Sequence, residues 1–462
     1  MSSNNRHESD SMGEVELPAD AYWGAQSARA AENFDVSQFT IPGPLLVALA
    51  RLKESAASVN ESLGLIEPRI GAAIRAAADE VAEGRWSDHF PVDVFQTGSG
   101  TSWNMNVNEV IANVANVSLG SALGTRAPVH PNDHVNKGQS SNDVVPTAIA
   151  MSTRTEAKAL AGELDRIAEA LSEKSREFVN VVKLGRTHLQ DAVPMTLGDE
   201  FGAYAEQMRK GGDRVRRCFG TLAEVPLGGT AVGTGINTHP EFARRVMERI
   251  SERTGIEFQL CASAFEGISA RDAQVEFMGA LNTVAVSLMK IGQDLRLLAS
   301  GPRAALGEIT LRALQPGSSI MPGKVNPVIP EMVIQVAAHL MGKHLTVTIA
   351  GQNAPLELNI MQPLIAYETL SAIELLSNTL RVFRLRCIDG IEANEERCRT
   401  LIDGSLALVT PLAIRVGYDR AAAIAHRAFA EGRTVKEIVV DEKLLTEAEA
   451  DDVLNPESML GR

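Results

Sequence analysis

The stretch FMGALNTVAVSLMKIGQDLRLL, residues 277–298, places Phe277, Leu281, Val284, Leu288, Ile291, Leu295 and Leu298 at alternating steps of four and three. That spacing lines every apolar residue along one stripe of an α-helix. No proline interrupts the chain between Gly267 and Pro302, so the pattern predicts a helix of about 30 residues, roughly 45 Å long. Such a helix buries its stripe only against other long helices. The theme recurs on both sides. Leu160, Leu164, Ile167 and Leu171 are spaced by four, three and four; Phe201, Tyr204 and Met208 follow. A further helix opens near Pro363, a good first-turn residue, and runs through Leu370, Ile373, Leu380 and Phe383. The expected fold is all-α. A central bundle of long helices spans 139–390, a mixed helix and loop domain precedes it over 1–138, and a small α-helical domain follows over 391–462. Apolar surface left over on such helices predicts an oligomer.

Composition narrows the function. The chain has 462 residues, 45% of them apolar, which excludes general disorder. A formal net charge of −14 and only 20 aromatic residues argue against nucleic-acid binding, which needs a basic face or stacking platforms. The same charge repels an anionic ligand, so a site for one must be locally positive. Cys218, Cys261, Cys387 and Cys398 lie far apart, with no CxxC. They read as free thiols of a cytoplasmic protein rather than zinc ligands or a disulfide framework. The opening residues MSSNNRHESDSM lack the apolar run of a leader peptide, and no run of 18 apolar residues predicts a membrane span.

Strands are scarce, with Val181–Leu184 the clearest candidate. Gly98–Asn108 and His130–Asp143 are rich in Ser, Thr and Asn and read as polar loops, either ordinary turns or ligand cradles. Asn142 or Asp143 is placed to cap a helix starting near Val144. Thr446 and Glu449 have capping-box spacing before the last helix.

The most informative polar stretch is Gly317-Ser318-Ser319-Ile320-Met321-Pro322-Gly323-Lys324-Val325-Asn326-Pro327. It fails as a nucleotide phosphate loop. Five residues rather than four separate Gly317 from Gly323, Pro322 intervenes, and Val325 stands where Ser or Thr is required. Two hydroxyls, exposed N–H groups and one ammonium suit an oxyanion instead. A plain connecting loop with a solvated Lys324 satisfies the composition equally. His130 and His134 have the i, i+4 spacing of metal ligands, but Pro131 favours a loop and no third ligand follows. No metal and no organic cofactor are expected.

Taken in order, these motifs resemble the fumarase/aspartase superfamily, and within it the class II fumarases. The Gly317–Pro327 segment matches the superfamily's Gly-Ser-Ser-x-Met-Pro-x-Lys-x-Asn-Pro signature at every fixed position. Thr97-Gly98-Ser99-Gly100-Thr101 with Asn104-Met105-Asn106, His130-Pro131-Asn132-Asp133, Gln139-Ser140-Ser141-Asn142-Asp143, Gly185-Arg186-Thr187-His188 and Gly228–Gly235 match further. The resemblance implies a homotetramer with a 20-helix core and active sites shared by three subunits. It implies Ser318 as the base, carboxylate stabilisation by Lys324 and Asn326, and His188 paired with Glu331 on the acid side. It implies substrate binding by Ser99, Gly100, Thr101, Ser140, Ser141, Asn142, Thr187 and Ser319. A second, non-catalytic dicarboxylate site is implied at His130, Pro131, Asn132 and Asp133, with Arg126 nearby.

The implied reaction is reversible hydration of fumarate to L-malate. Two alternatives stand. An aspartate ammonia-lyase shares the superfamily, and Asn359–Ile365 and Leu444–Asp452 look like that branch. Thr97-Gly98-Ser99, Ser140-Ser141-Asn142 and Gly229 look like the hydratase. Trp103 departs from both, either reshaping the pocket or filling a gap in packing. A catalytically inactive helical scaffold is the third reading, disfavoured because Ser318, Lys324, Asn326, His188 and Glu331 are all intact.

Overall fold

The heptad stretch forms one continuous helix, Asp272–Leu298, in the computed structural model, which describes residues 5–460. Its seven stripe residues, Phe277 to Leu298, are each at most 4% exposed. Among the described residues this is the one helix long and apolar enough to cross a membrane; half of its most apolar window is buried within the fold. Other long helices are Gly43–Ser62, Ser141–Glu177, Leu197–Arg217, Val328–Gly351 and Gln362–Arg386. Four two-stranded sheets accompany the helices among the described residues, so the architecture is all-α.

Compactness divides the chain into two units. One comprises Met1–Ala161, Asp213–Asn282 and His339–Ser377; the other comprises Gly162–Gly212, Thr283–Ala338 and Asn378–Arg462. In the first, Leu45, Leu49, Leu52 and Ala56 of helix Gly43–Ser62 are buried, and this helix packs along Pro68–Ala82. In the second, the C-terminal helices share one apolar cluster. It includes Ile402, Leu412, Ile424, Ile438 and Val439, and it takes in Leu184 from the strand Val182–Thr187.

Three local expectations are corrected. Gly98–Asn108 is not a loop throughout, because Thr101–Ser118 is helical. Its buried asparagines find partners inside the fold, as when Asn106 Nδ2 donates to the His89 carbonyl at 3.1 Å. Side-chain donors so paired lower the cost of burying the helix, while the Oδ1 atoms of Asn104, Asn106 and Asn108 are buried without a hydrogen-bond partner among the described residues. The helix expected near Val144 begins at Ser141, and its cap is Ser140, whose Oγ accepts from Asn142 N at 3.2 Å. The strand candidate lengthens into a hairpin, Val182–Thr187 paired with Gln190–Thr196. The capping box lies as expected: Thr446 Oγ1 accepts from Glu449 N, and Glu449 Oε2 accepts from Thr446 N.

Leu288 is fully buried at the middle of the heptad stripe. Leu288→Ala is expected to destabilise the protein by about 2–5 kcal/mol, read as a lower urea midpoint against wild type.

Candidate active site

In the first unit, the two polar segments are built on helix starts. Gly98 lies against the backbone at Ile360: a Cβ there would stand 2.0 Å from the Ile360 carbonyl oxygen, so no larger residue fits. The following turn brings Ser99 Oγ and Thr101 Oγ1 within 2.8 Å. At the second segment, Asp143 is fully buried, and one carboxylate holds two loops. Its Oδ1 accepts from Ser140 N at 3.0 Å, and its Oδ2 accepts from Gly228 N and Thr230 N, both at 2.9 Å. Asn142 Nδ2 adds a bond to the Ala231 carbonyl at 2.8 Å. The glycine-rich Gly228–Gly235 segment is thereby tied to the Ser140–Asn142 turn. Burial pushes the Asp143 carboxyl up to about 6, against the pull of its three N–H donors. Ser141 Oγ accepts from Asn104 Nδ2 at 3.0 Å.

Arg126 and His130–Asp133 are also in this unit. Arg126 Nη2 lies 2.8 Å from His130 Nε2. His130 Nδ1 accepts from Asn132 N at 3.2 Å and from Asp133 N at 3.1 Å, which closes the ring over the first turn of the following segment, and it lies 3.3 Å from the Asp133 carboxylate. Burial and Arg126 hold the imidazole pKa below its ordinary value. His134 Nδ1 accepts from His130 N at 2.8 Å. Pro131 is buried, whereas Asn132 and Asp133 are exposed. Trp103 is fully buried, with Nε1 donating to the Val92 carbonyl at 3.1 Å. Of its two expected roles, the structure gives it packing.

In the second unit, Thr187 and His188 occupy the tip of the hairpin. Thr187 pairs with Gln190, and His188 and Leu189 form the two-residue turn at φ 56° and 59°. Asn-Gly usually takes that turn. A histidine held there carries a strain of order 1–3 kcal/mol, which persists only where the surroundings enforce it. Thr187 and His188 are exposed. Beneath them Glu308, 0% exposed, accepts from Arg186 Nη1 at 2.9 Å and pairs with Lys183 Nζ at 3.2 Å. Lys183 also bonds Glu200 at 2.6 Å.

The signature loop is closed across its base. Gly317 N donates to the Lys324 carbonyl at 2.9 Å, and Asn326 Nδ2 donates to the Gly317 carbonyl at 2.6 Å. A Cβ at Gly317 would stand 2.4 Å from that Lys324 carbonyl oxygen. Within the loop, Ser318 Oγ accepts from Met321 N at 3.0 Å and Ile320 N at 3.3 Å. Ser319 and Lys324 are exposed, and Glu331 lies in the first turn of Val328–Gly351.

The chain thus groups Ser99, Gly100, Thr101, Ser140, Ser141 and Asn142 on one unit. Thr187, His188, Ser318, Ser319, Lys324, Asn326 and Glu331 lie on the other. Among the described residues His188 makes no hydrogen bond with Glu331 or Ser318. Sequence reading passed over Lys53, Asp143 as a loop tether, and the Arg186–Glu308 pair. Lys53 alone left a trace, standing on the apolar stripe of Leu49, Leu52 and Ala56.

Residues 13–342 match the lyase family, and residues 408–461 match the fumarase C C-terminus. The chain is similar to the mitochondrial fumarate hydratase of Saccharomyces cerevisiae, 48% identical over 100% of this chain and 95% of that one. The class II fumarate hydratase of Rickettsia conorii is 48% identical over 99% of both chains. The crystal structure of recombinant class II fumarase from Schistosoma mansoni superposes with a TM-score of 0.95 at 38% identity, covering 99% of both.

Glu308 is the buried anchor of the His188 hairpin. Glu308→Ala leaves Lys183 and Arg186 without it and is expected to cost about 3–5 kcal/mol. Hydrogen exchange should accelerate across residues 182–196 more than across the heptad helix. Unchanged protection of the hairpin would contradict the anchoring role.

Proposed function

The chain belongs to the lyase family, in its class II fumarase branch, and from that membership we propose that it catalyses the reversible hydration of fumarate to L-malate. The structural observation that carries the reading is the Ser318 hydroxyl. Serine acts as a base only when its alkoxide is stabilised, and Ser318 Oγ already faces two backbone N–H groups. In the dehydration direction the Ser318 alkoxide takes the proton from the carbon beside a substrate carboxylate. The electron pair moves onto that carboxylate, where Lys324 and Asn326 hold the developing charge. Among the described residues the Lys324 ammonium has no hydrogen-bond or ion-pair partner, so it is free for this task. The hydroxyl on the adjacent carbon then leaves as water, its proton supplied from the His188 side, with Glu331 orienting the imidazole. Ser99, Gly100, Thr101, Ser140, Ser141, Asn142, Thr187 and Ser319 bind the substrate, with Ser99, Thr101, Ser140, Ser141, Asn142 and Thr187 as its neutral donors. Arg126 and His130–Asp133 form a second dicarboxylate site.

The ammonia-lyase reading is not favoured. A departing ammonium needs an anionic partner, and the donor set offers hydroxyls and amides. The full-length relatives are fumarate hydratases.

We further propose a homotetramer in which three subunits complete each site. Val286, Leu345 and Ile349 are half or more exposed on the long helices, apolar surface that a second copy would cover. His188 stands on an exposed tip and, among the described residues, makes no hydrogen bond with Glu331 of its own chain, so another copy would supply that partner. A cytoplasmic location accords with four free cysteines. Burial pushes the Cys387 and Cys398 thiols up to about 12, so they stay unreactive.

Absorbance of fumarate formed from L-malate or L-aspartate tests the reaction. The kcat/KM for malate is expected to exceed that for aspartate by at least roughly 10³-fold. Comparable turnover, or turnover of aspartate alone, would replace the assignment, and turnover of neither would leave the scaffold reading. Ser318→Ala is expected to lower kcat by ~10²–10⁴-fold with folding unchanged. Near-native turnover would mean another base.

A further inference from the structure

Lys53, on helix Gly43–Ser62, is fully buried, yet among the described residues its ammonium has no ion-pair partner. Its ammonium donates to Asn136 Oδ1 and to Gln139 Oε1, both at 2.9 Å. An ammonium has hydrogens and no acceptor, so both amides must turn their oxygens toward it. Every later donor in the network is set by that choice. Asn136 Oδ1 also accepts from Asn104 Nδ2 at 3.3 Å and from Asn108 Nδ2 at 3.2 Å. The same Asn104 amide nitrogen donates to Ser141 Oγ at 3.0 Å. Ser141 Oγ is therefore an acceptor toward the interior, and its own hydrogen is left to donate elsewhere. Gln139, the residue immediately before Ser140, is oriented by the same charge, with Nε2 donating to the Val135 carbonyl at 3.0 Å.

We propose that Lys53 is a positioning residue whose buried charge sets the donor direction of the Ser141 hydroxyl, so that this hydroxyl presents its hydrogen to a substrate carboxylate. The inference rests on the reading of Ser141 as a substrate donor. The enforced direction carries a visible cost. Among the described residues the displaced oxygens, Asn104 Oδ1 and Asn108 Oδ1, are buried without a hydrogen-bond partner. A network free to reorient would turn one of these amides over; a donor-only group at its origin prevents that. The arrangement also places a positive charge behind a binding surface made of neutral groups, in a chain whose net charge is −14. Burial lowers the Lys53 pKa to about 7, with Asp143 pulling the other way, so the donor-only ammonium is the dominant form below that pH, where the relay is to be measured.

The test uses the full-length enzyme. Lys53→Met removes the charge at similar volume and takes a donor from Asn136 Oδ1 and Gln139 Oε1, so its folding is checked first by thermal unfolding. The expected result is KM for fumarate raised roughly tenfold, the loss of about one hydrogen bond, with kcat within a few-fold of wild type. The Kd for succinate, an unreactive dicarboxylate, should rise in parallel by calorimetry. Asn104→Leu breaks the relay at its middle and should give the same shift. The double variant should be no worse than the worse single variant. Native KM and Kd in a folded Lys53→Met protein, or additive effects in the double variant, would overturn the proposal. Should Lys53→Met fail to fold, Asn104→Leu decides, and native succinate binding there rejects the relay. A wild type that binds succinate Lys53-dependently but does not hydrate fumarate would reject the reaction and keep the relay. An active wild type indifferent to Lys53→Met would do the reverse.

Discussion

Loops distant in sequence can present hydroxyls and amides to one small dianion only if something buried holds them in register. In the first unit that group is the Asp143 carboxylate. It receives N–H groups from Ser140 on one side and from Gly228 and Thr230 on the other. A carboxylate holding several backbone donors is stronger and more directional than any neutral pair available there. It also leaves Ser140, Ser141 and Asn142 partly exposed at the start of a 37-residue helix, where backbone N–H groups favour an anion. The long helices serve the same end at larger scale, since their rigidity carries the loop anchors.

The second unit solves an equivalent problem with Glu308. The His188 turn adopts a left-handed backbone that histidine seldom takes, and a hairpin alone would relax it. A fully buried carboxylate gripping Arg186 and Lys183 fixes the strand two residues before the tip. The signature loop closes on itself through Gly317, Lys324 and Asn326, which leaves the Ser318 hydroxyl facing backbone donors. In each case a buried charge or a closed backbone ring holds a neutral group at the surface. The chemistry is then performed by groups that contribute little to stability.

This division explains what the sequence disclosed. The Phe277–Leu298 helix was legible because a helix buried along one stripe repeats every three to four residues, and all seven stripe positions are buried. The Thr446 capping box was legible because its logic is local. The Thr101–Ser118 helix was not, because Asn104, Asn106 and Asn108 read as turn formers until their distant partners are known. Asp143 was read as a helix cap because its bonds to Gly228 and Thr230 span more than 80 residues. Glu308 lies over 120 residues from Arg186 and carries no local pattern at all. The surface motifs stood out by resemblance, while the buried charges that position them are set by tertiary contacts.

On the proposed reading the catalytic groups meet only in the assembled protein, since one chain leaves His188 exposed and unbonded to Glu331 or Ser318 among its described residues. Mixing Ser318→Ala with His188→Asn protein under conditions of subunit exchange tests this, with the rate of malate dehydration as the readout. Mixed tetramers are expected to regain activity absent from either parent, because some of their sites take an intact Ser318 and an intact His188 from different chains. Proven formation of mixed tetramers with no recovery of rate would contradict a site shared between subunits.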